Sequence, residues 1–446
     1  MSRVKVVGAG LAGCECAFAL ARDGHAVDLF EMRPSKTTAA HQTSDLAELV
    51  CSNSFRSSAV TNAVGLLKRE MKLMDSLVVA CGEEARVPAG DAFAVDREKF
   101  SAAVTNAISS NANITLRREE VTSLDRGDYD FLVIATGPLT SHPLFEAINE
   151  FLGRDGLYFY DAIAPILAAD SLDLSKLYWK SRYDKGDGRD YLNSAMTHEQ
   201  YEAFVAALLG AELYPLHDFE RAAHFEGCLP IEEIASRGID TLRYGPMKPV
   251  GLDHPETRER PYAVVQLRKE DLSDEYFNIV GFQTKMKVPE QKRVIQMIPG
   301  LENAQFARFG SMHRNTFING PKHLTNTFRT KRDDRVFFAG QITGVEGYVE
   351  SAAVGLLVAR YIRGGSLIPY HTALGALGRH VAESSPERYQ PSNVTWALIE
   401  DVIGRAKKIE KRERQVAAAV KTIQEICEAS AEGSGRLVRS AARQRG

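Results

Sequence analysis

The sequence of 446 residues is poor in cysteine and lacks clustered metal ligands. Its six cysteines are scattered without a Cys-x-x-Cys pair, and its eleven histidines include no His-x-x-x-His pair. A disulfide-stapled secreted domain has a denser, regular cysteine spacing, and zinc or iron–sulfur sites need grouped ligands. We therefore expect reduced thiols and no bound metal.

Signals for membranes and for export are also missing. No stretch reaches the roughly 18 consecutive apolar residues that a bilayer span requires. The N-terminus Met1-Ser2-Arg3 leads directly into an apolar strand pattern, without the parts of a secretory signal. With 44% apolar and 25% charged residues, the composition is that of an ordinary globular protein, and we expect it in the cytoplasm.

The net charge of -3 is unevenly distributed along the chain. From residue 401 to the C-terminus, eleven Arg or Lys residues stand against six Asp or Glu residues. A basic tail can attract an anionic polymer, and phosphate contacts would make that binding steeply salt-dependent. The basic cluster consists of Arg405, Lys407, Lys408, Lys411, Arg412 and Arg414. A plain solvated helix is the alternative interpretation.

Residues 3 to 31 have the pattern of strand, glycine turn, helix and strand. The turn reads Gly8-x-Gly10-x-x-Gly13, and Glu31 ends the second strand. In a βαβ unit the first glycine permits a tight turn, the second admits a pyrophosphate and the third lets helix and strand pack closely. A carboxylate at the position of Glu31 accepts hydrogen bonds from a ribose diol. This pattern predicts a dinucleotide-binding fold.

Further along, the pattern predicts one helix over 66–84, a helix over 100–109, a strand over 114–119 and a buried strand over 130–136. From about Leu139 to about Phe306 the βαβ spacing disappears. It returns at Arg335-Val-Phe-Phe-Ala-Gly340, followed by an apolar helix over 351–362. We therefore predict an α/β, Rossmann-like FAD-binding domain of the glutathione reductase type. It is discontinuous (1–138 and 307–446), with an α+β substrate or RNA domain inserted at 139–306.

The glycine turn alone also fits an S-adenosylmethionine methyltransferase. A small one-segment nucleotide fold would not need the returning strand and its Gly340, whereas a flavin needs a second segment to hold its ring far from the adenine. The pattern therefore favours FAD.

Nearly the whole chain resembles the bacterial folate- and FAD-dependent tRNA (uracil-5-)-methyltransferases, a family of flavoproteins related to GidA. The resemblance is carried by these stretches: 8–13, Glu31-Met-Arg-Pro34, Ala47-Glu-Leu-Val-Cys51-Ser-Asn-Ser54, 61–65, 88–90, Ala94-Val-Asp-Arg97, Phe225-Glu-Gly-Cys228-Leu-Pro-Ile-Glu232, 260–267, 281–283, 297–302, Met312-His-Arg-Asn-Thr-Phe317, 338–353 and Gln390-Pro-x-Asn393. The sequence departs from the family pattern at Phe55 and at Val394-Thr-Trp396.

The resemblance implies methylation at C5 of the T-loop uridine, position 54 of tRNA, so the T-arm of tRNA is the expected partner. It implies 5,10-methylenetetrahydrofolate as carbon donor and FAD reduced by NADH or NADPH. It also implies cofactor contacts from these residues: Gly8, Ala9, Gly10, Leu11, Ala12, Gly13, Glu31, Met32, Arg33, Gly137, Gly340, Gln341, Gly344, Gly347, Tyr348 and Ser351. The residues Glu346, Glu350, His313 and Arg314 are weaker candidates.

The chemistry itself demands a reactive cysteine, because C5 of uracil is a poor nucleophile until a thiolate adds at C6. Cys228, in a loop bracketed by Gly227 and Pro230, is the best candidate for this catalytic thiol, and the resemblance places a catalytic cysteine there. The resemblance places the second catalytic candidate, Cys51, beside the flavin. For the other four cysteines we expect inert, buried thiols.

Several rivals remain. The related flavoprotein that installs an aminomethyl group on wobble uridine with a GTPase partner is longer than this chain. The same chemistry on a ribosomal uridine, a non-catalytic, flavin-stabilised RNA-binding protein and a simple NADH oxidase also stay open.

Overall fold

The computed structural model describes residues 1–38, 40–153, 156–162, 164–184, 190–214, 229–270, 274–310, 312–404 and 407–443. The strands are β1 (Arg3–Val7), β2 (Ala26–Phe30), β3 (Ser54–Ser57), β4 (Arg86–Val87), β5 (Ala92–Val95), β6 (Ile114–Arg117), β7 (Phe131–Ile134), β8 (Gly156–Ala162), β9 (Ile166–Ala168), β10 (Leu177–Trp179), β11 (Tyr191–Met196), β12 (Ala263–Lys269), β13 (Tyr276–Ile279), β14 (Phe306–Arg308), β15 (Met312–Ile318) and β16 (Val336–Phe338).

The helices lie between and after these strands along the chain. They are α1 (Leu11–Arg22), α2 (Ala63–Leu73), α3 (Leu77–Glu84), α4 (Arg97–Ser109), α5 (His142–Leu152), α6 (His198–Leu209), α7 (Ile231–Ser236), α8 (Thr241–Tyr244), α9 (Val288–Ile295), α10 (Gly320–His323), α11 (Tyr348–Ile362), α12 (Ala373–Glu383) and α13 (Lys408–Arg443).

A five-stranded sheet in the order β16-β7-β1-β2-β6 forms the centre of the first part, and its strand pairs are parallel. Val4, Val6, Leu132 and Val133 are fully buried in it, as expected for parallel strands covered on both faces. The strand predicted over 130–136 is central, and the strand predicted after residue 335 returns beside it. The Rossmann-like fold class is confirmed.

The single helix predicted over 66–84 was wrong, because the structure has two helices there. Met74 ends α2, Asp75 adopts φ +56°, and Ser76 caps α3 by accepting a hydrogen bond from the N–H of Val79 at 3.2 Å. The left-handed conformation of Asp75 turns the chain between the helices, and aspartate tolerates that conformation better than most residues. The apolar side chains of both helices still face one core.

The inserted part is built around a six-stranded sheet in the order β10-β11-β12-β13-β9-β14, whose strand pairs are antiparallel. A separate hydrophobic core between residues 167 and 304 packs against it, and α6, α7 and α9 contribute to this core. This arrangement agrees with the predicted α+β insertion. The domain boundaries at 138 and 306 stay predictions.

The chain crosses between the two parts along β8 and β15. These strands pair in antiparallel register over seven residue pairs, from Gly156 opposite Ile318 to Ala162 opposite Met312. The outgoing and returning crossings are therefore hydrogen-bonded to each other.

Two buried glutamates cap helices that are distant in sequence. Glu15 of α1 accepts hydrogen bonds from the N–H groups of Leu77 and Val78 at the start of α3, at 3.0 and 2.8 Å. Glu70 of α2 accepts from the N–H groups of Ala373 and Leu374 at the start of α12, both at 2.8 Å. Carboxylates at helix N-termini satisfy unpaired N–H groups and complement the helix dipole.

The C-terminal helix α13 packs on α2, and Cys427 donates a hydrogen bond from its thiol to the carbonyl of Leu73 at 3.3 Å. In the basic cluster, Lys411 pairs with Asp401 and Arg414 with Glu410. Arg412 stacks over the ring of Trp396 at 4.3 Å. Arg405 lies outside the described residues. Within the described ranges, no helix is long and apolar enough to cross a membrane.

Candidate cofactor and active site

The glycine turn between β1 and α1 has the geometry that the motif predicts. Gly8 adopts φ +98°, and a Cβ on Gly13 would lie 1.8 Å from the carbonyl oxygen of Gly8. Side chains are therefore excluded at both positions. Gly10 is the N-cap of α1 without a side-chain hydrogen bond, and a Cβ there would meet no atom within 4 Å. The space above Gly10, at the N-terminus of α1, is therefore open, whereas Leu11, Ala12 and Gly13 of the first turn are buried.

Glu31, immediately after β2, is held beside this turn. Its Oε2 accepts a hydrogen bond from the N–H of Ala9 at 3.1 Å, and its Oε1 accepts from the Arg33 N–H and Nε, both at 3.0 Å. Burial raises the pKa of Glu31, but the hydrogen bonds and charge of Arg33 outweigh it and hold the pKa below its usual value. The carboxylate is therefore ionised and acts as an acceptor at neutral pH.

Arg33 lines the cleft beside Glu31, and its guanidinium is engaged by other protein groups. Its side chain is only 2% exposed, and its Nη1 donates to Glu48 at 3.0 Å and to the carbonyl of Thr43 at 3.2 Å. The guanidinium is thus occupied by protein groups and orients Glu31.

A cleft of about 590 Å³, counted out to its mouth in solvent, opens over the turn. Its walls include Gly8, Gly10, Glu31, Met32, His41 and Thr136. Gly137, with φ +65°, follows Thr136 at the end of β7. Burial and the charge of Arg33 lower the pKa of His41 to about 4, so its ring is neutral at pH 7. The cleft combines glycine backbone, the ionised carboxylate of Glu31 and apolar walls.

The returning segment meets the first one at α11. A Cβ on Gly340, the residue two after β16, would lie 2.6 Å from the Cβ of Ala12, and a Cβ on Gly355 would lie 2.2 Å from the carbonyl oxygen of Ala12. Gly347, with φ +109°, is the N-cap of α11. Both α1 and α11 therefore begin at glycine turns and pack closely together, as two segments holding one dinucleotide would.

The loop before α11 is fixed by neighbouring side chains. Gln341 donates from Nε2 to Glu346 at 2.6 Å. A Cβ on Gly344 would lie 2.3 Å from the hydroxyl oxygen of Tyr389, which donates to the carbonyl of Thr343. Gly344 is therefore required by this packing. Ser351, in the first turns of α11, lies near Gly340.

Cys51 lies against the start of α11. The hydroxyl oxygen of Tyr348 accepts hydrogen bonds from the N–H groups of Cys51 and Ser52, at 2.6 and 3.0 Å. The structure thus joins two predicted site residues that are 297 positions apart in sequence. Cys51 is half-buried.

Other residues that hold the Cys51 loop were missed by the sequence analysis. Arg97 donates to the carbonyls of Leu49 at 2.9 Å and Cys51 at 3.4 Å, and its Nε donates to Glu270 at 2.6 Å. Asn53 donates from Nδ2 to the carbonyl of Lys269 at 2.9 Å. Both Arg97 and Asn53 stand in stretches that carry the family resemblance, which was the available signal. They connect the loop to the end of β12.

The remaining described cysteines are unsuited to nucleophilic chemistry. Cys14, Cys16 and Cys81 are buried. Burial raises the pKa of the Cys14 and Cys16 thiols far above the usual value and that of Cys81 to about 11. Burial also raises the pKa of the half-buried Cys427. Because the thiolate is the reactive form, these thiols are inert at neutral pH.

Cys228 lies outside the described residues, as do the side chains of His313 and Arg314. The segment that follows Cys228 is described. The N–H of Ile231 donates to the carbonyl of Gln283 at 2.7 Å, and Glu232 accepts from the N–H of Lys285 at 2.6 Å and from the hydroxyl of Thr284 at 3.1 Å. Burial raises the pKa of Glu232. These bonds fix the segment after Cys228 to the loop after β13.

The residues present fit a bound FAD. The uncapped first turn of α1 and the open space above Gly10 suit a pyrophosphate, which helix N-termini bind through free N–H groups. The ionised carboxylate of Glu31 beside this turn suits the hydroxyls of a ribose. The second glycine turn leads to Tyr348, which contacts Cys51. Among the described side chains, no three His, Cys, Asp or Glu residues cluster as metal ligands would.

The comparisons with known proteins agree with this geometry. The family model of glucose inhibited division protein A matches residues 3–366. A methylenetetrahydrofolate--tRNA-(uracil-5-)-methyltransferase TrmFO of Natranaerobius thermophilus is 51% identical, covering 96% of this chain and 99% of its own. The proteins of that name from Geobacter sulfurreducens and Bacillus subtilis are 55% and 50% identical, over 92% and 95% of this chain and 95% and 98% of their own.

Among solved structures, GidA of Aquifex aeolicus superposes with a TM-score of 0.66 at 15% identity, covering 99% of this chain and 76% of its own. That likeness shows the fold. The identities near 50% over almost the whole length show the family. The chain therefore belongs to the glucose inhibited division protein A family and, within it, to the methylenetetrahydrofolate--tRNA-(uracil-5-)-methyltransferases TrmFO.

Proposed function

We propose that the protein methylates C5 of the T-loop uridine at position 54 of tRNA, with methylenetetrahydrofolate as carbon donor and NADH or NADPH as reductant of FAD. The observation that carries this proposal is the contact between Tyr348 and Cys51. This contact holds the loop of Cys51, whose side chain is half-buried, against the N-terminus of α11, immediately after Gly347. The family supports the chemistry, and a cytoplasmic location stays part of the proposal.

The cofactor contacts are proposed for the sixteen residues named from the resemblance, with two refinements. Arg33 acts by orienting Glu31, because its guanidinium is occupied by Glu31 and Glu48. Gly344 acts by admitting Tyr389. When bound, reduced FAD would carry the one-carbon unit from the folate to the uracil and would supply the hydride that completes the methyl group.

Cys228 is the proposed nucleophile toward the substrate. Its thiolate adds to C6 of uracil, which places negative charge on C5 and O4 and allows C5 to bond to the donated carbon. Removal of the C5 proton by a base, with cleavage of the bond between the one-carbon unit and its carrier nitrogen, leaves an exocyclic methylene at C5. Addition of a hydride to this methylene converts it to the methyl group, and breaking of the sulfur–C6 bond restores the C5–C6 double bond and the thiolate. Arg97 and Tyr348 hold the Cys51 loop through its backbone, so that its thiol has a fixed position beside the cofactor.

The proposal is tested with purified protein, FAD, a T-arm RNA, NADH and methylenetetrahydrofolate labelled in its one-carbon unit. Label is expected at C5 of the uridine at position 54, and absence of label there would contradict the function. A ribosomal RNA fragment in a parallel reaction tests the choice of substrate.

Three cysteine variants separate the roles of the thiols. Cys228→Ala is expected to abolish methylation while the protein keeps its yellow flavin. Cys51→Ala is expected to lower activity with flavin still bound. Cys81→Ala is the matched control, because this thiol is buried and does not line the cleft over the glycine turn, and it should keep its activity. Full activity of Cys228→Ala would remove that residue from the mechanism.

A further inference from the structure

A buried ion pair lies at the start of α11. Glu350, in the first turn of this helix, has a fully buried side chain, and its Oε1 pairs with the guanidinium of Arg56 on β3. The same oxygen accepts a hydrogen bond from the N–H of Val394 at 2.9 Å. The pair therefore joins the first segment of the dinucleotide fold to the returning segment.

The second carboxylate oxygen of Glu350 lies against the glycine at which α11 begins. A Cβ on Gly347, the N-cap of the helix, would lie 2.5 Å from this oxygen. The oxygen is buried, and no hydrogen-bond donor among the described residues binds it. A buried acceptor without a donor lowers the stability of a fold. A role in packing alone therefore does not explain this carboxylate.

The charge of Glu350 is compensated mainly by Arg56. A second basic residue, Lys68, is also buried nearby and donates from Nζ to the carbonyl of Phe55 at 2.8 Å. Burial and the charge of Arg56 lower the pKa of Lys68 to about 7, so its amine is mostly neutral at pH 8. At that pH the guanidinium of Arg56 and the carboxylate of Glu350 balance each other.

The ion pair lies at the end of the site where we expect the flavin ring. Glu31 suits a ribose beside the first glycine turn, and the returning segment meets that turn where Gly340 packs against Ala12. A dinucleotide held by both segments then extends from the first turn toward the start of α11. The N-terminus of a helix favours an anion, and a buried charge placed there strengthens or weakens this preference.

Reduction changes the charge of a bound flavin. Hydride transfer from NADH or NADPH brings two electrons and one proton, so the ring gains one negative charge when no second proton follows, and the nicotinamide becomes a cation. A fixed charge near the ring changes the free energy of this step. A nearby carboxylate disfavours the reduced form, and a nearby guanidinium favours it.

We propose that the ion pair of Arg56 and Glu350 sets the reduction potential of the bound flavin. The carboxylate lowers the potential, and the guanidinium compensates most of this effect. The inference rests on the proposed function, because it gives the pair a role in the proposed reduction of FAD. Both residues act through their charge, and neither is assigned a contact with the reacting atoms.

The test measures the potential of the FAD-loaded protein at pH 8, by anaerobic equilibration with a reference dye and flavin absorbance. Glu350→Gln removes the negative charge and should raise the potential, whereas Arg56→Gln leaves that charge uncompensated and should lower it. Each should change the ratio of reduced to oxidised flavin at a fixed solution potential about tenfold, which is ~30 mV for a two-electron couple. Arg56→Lys and the double variant Arg56→Gln/Glu350→Gln should stay near the natural value.

The exposed ion pair of Arg414 and Glu410 on α13 provides the matched control, and Arg414→Gln and Glu410→Gln should leave the potential unchanged. Shifts of the same sign in Arg56→Gln and Glu350→Gln would overturn the proposal, because loosened packing does not depend on the sign of the removed charge. Unchanged potentials in both variants would overturn it as well.

Either of these contrary results would leave the proposed function intact, whereas natural protein that takes up no FAD would count against the proposed function itself. If Arg56→Gln does not fold or bind FAD, two variants of Glu350 decide the matter. Glu350→Gln must then raise the potential, and Glu350→Asp, which keeps the charge, must stay near the natural value. Equal shifts in these two variants would overturn the proposal.

Discussion

Tyr348 fixes Cys51 through the backbone: its hydroxyl oxygen accepts the N–H of Cys51 at 2.6 Å. A tyrosine on the returning segment thereby sets the position of a thiol on the first segment. The ring of Tyr348 also meets that of Phe55 edge to face, with centroids 6.2 Å apart. Phe55, one of the departures from the family pattern, is thus accommodated by aromatic packing.

Replacement of Tyr348 by phenylalanine should loosen the Cys51 loop. The variant keeps the ring but leaves two N–H groups without their acceptor, at a cost of about 1–3 kcal/mol. We expect faster reaction of Cys51 with a thiol reagent and lower methylation, with flavin still bound. Tyr276→Phe, at a tyrosine that is 41% exposed, is the control. An unchanged thiol reaction rate would show that the hydroxyl does not hold the loop.

Replacement of two glycines of the same turn by alanine should affect two different properties, FAD binding and stability. At Gly10 the new Cβ meets no protein atom within 4 Å, whereas at Gly13 it would lie 1.8 Å from the Gly8 carbonyl oxygen. Gly10→Ala should therefore keep its melting temperature but bind FAD more weakly. Gly13→Ala should lose stability or fail to fold. Circular dichroism and flavin absorbance near 450 nm measure the two effects, and unaltered FAD affinity of Gly10→Ala would contradict a phosphate site above this residue.

The free energy of unfolding should depend on pH through Glu70. Burial raises the pKa of Glu70 to about 8, and the two N–H donors from α12 only partly offset this. The unfolded chain releases the proton near the ordinary pKa of about 4.3, so this site loses stability as pH rises from there to about 8. Glu70→Gln removes this titration.

The difference in unfolding free energy between Glu70→Gln and the natural protein should therefore move in favour of the variant as pH rises. Urea unfolding at several pH values between 5 and 8 measures it. Glu425→Gln, at an exposed glutamate of α13, should show a constant difference. A constant difference for Glu70→Gln as well would rule out a raised pKa.

Glu232 should act as a positioning residue for Cys228. Glu232→Ala removes the acceptor of the Lys285 N–H and the Thr284 hydroxyl, which should release the segment after Cys228. We expect methylation to fall at least tenfold, with FAD affinity unchanged. Trapping with a 5-fluorouracil-containing T-arm RNA should show slower covalent adduct formation. An unchanged rate of adduct formation would show that Glu232 does not position Cys228.

The βαβ unit, the returning strand and the closing helix could be predicted from sequence, because glycine spacing and apolar strands are local signals. The break between α2 and α3 could not, because it depends on a left-handed conformation at Asp75, which is not a glycine. Glycine at this position would have been recognised as a turn.

The capping of α3 by Glu15 and of α12 by Glu70 could not be predicted from neighbouring residues in the sequence. Glu70 and Ala373 are 303 positions apart, and no periodicity links them. A signal did exist for Glu15, a lone acid in the apolar run of α1, since an ionisable group in such a run needs a buried partner. The contacts of Arg97 with the Cys51 loop and with Glu270 could not be predicted for the same reason, because the partners are far apart in the sequence.

The departure at Trp396 also has a structural reason. Its indole N–H donates to the carbonyl of Thr61 at 3.0 Å, and Arg412 stacks on its face. A basic residue suggested for phosphate binding is thus committed to packing within the protein. Two further members of the basic cluster, Lys411 and Arg414, are paired with the acids Asp401 and Glu410.

The paired crossing of β8 and β15 has a consequence for the ancestry of the molecule. Because Ala162 and Met312 are partners in one ladder, the chain leaves and re-enters the dinucleotide fold at the ends of a hairpin. A single insertion into a hairpin tip would produce this layout without disturbing the parallel sheet. Exchange of the intervening segment between relatives would then leave the parallel sheet and its glycine turn intact.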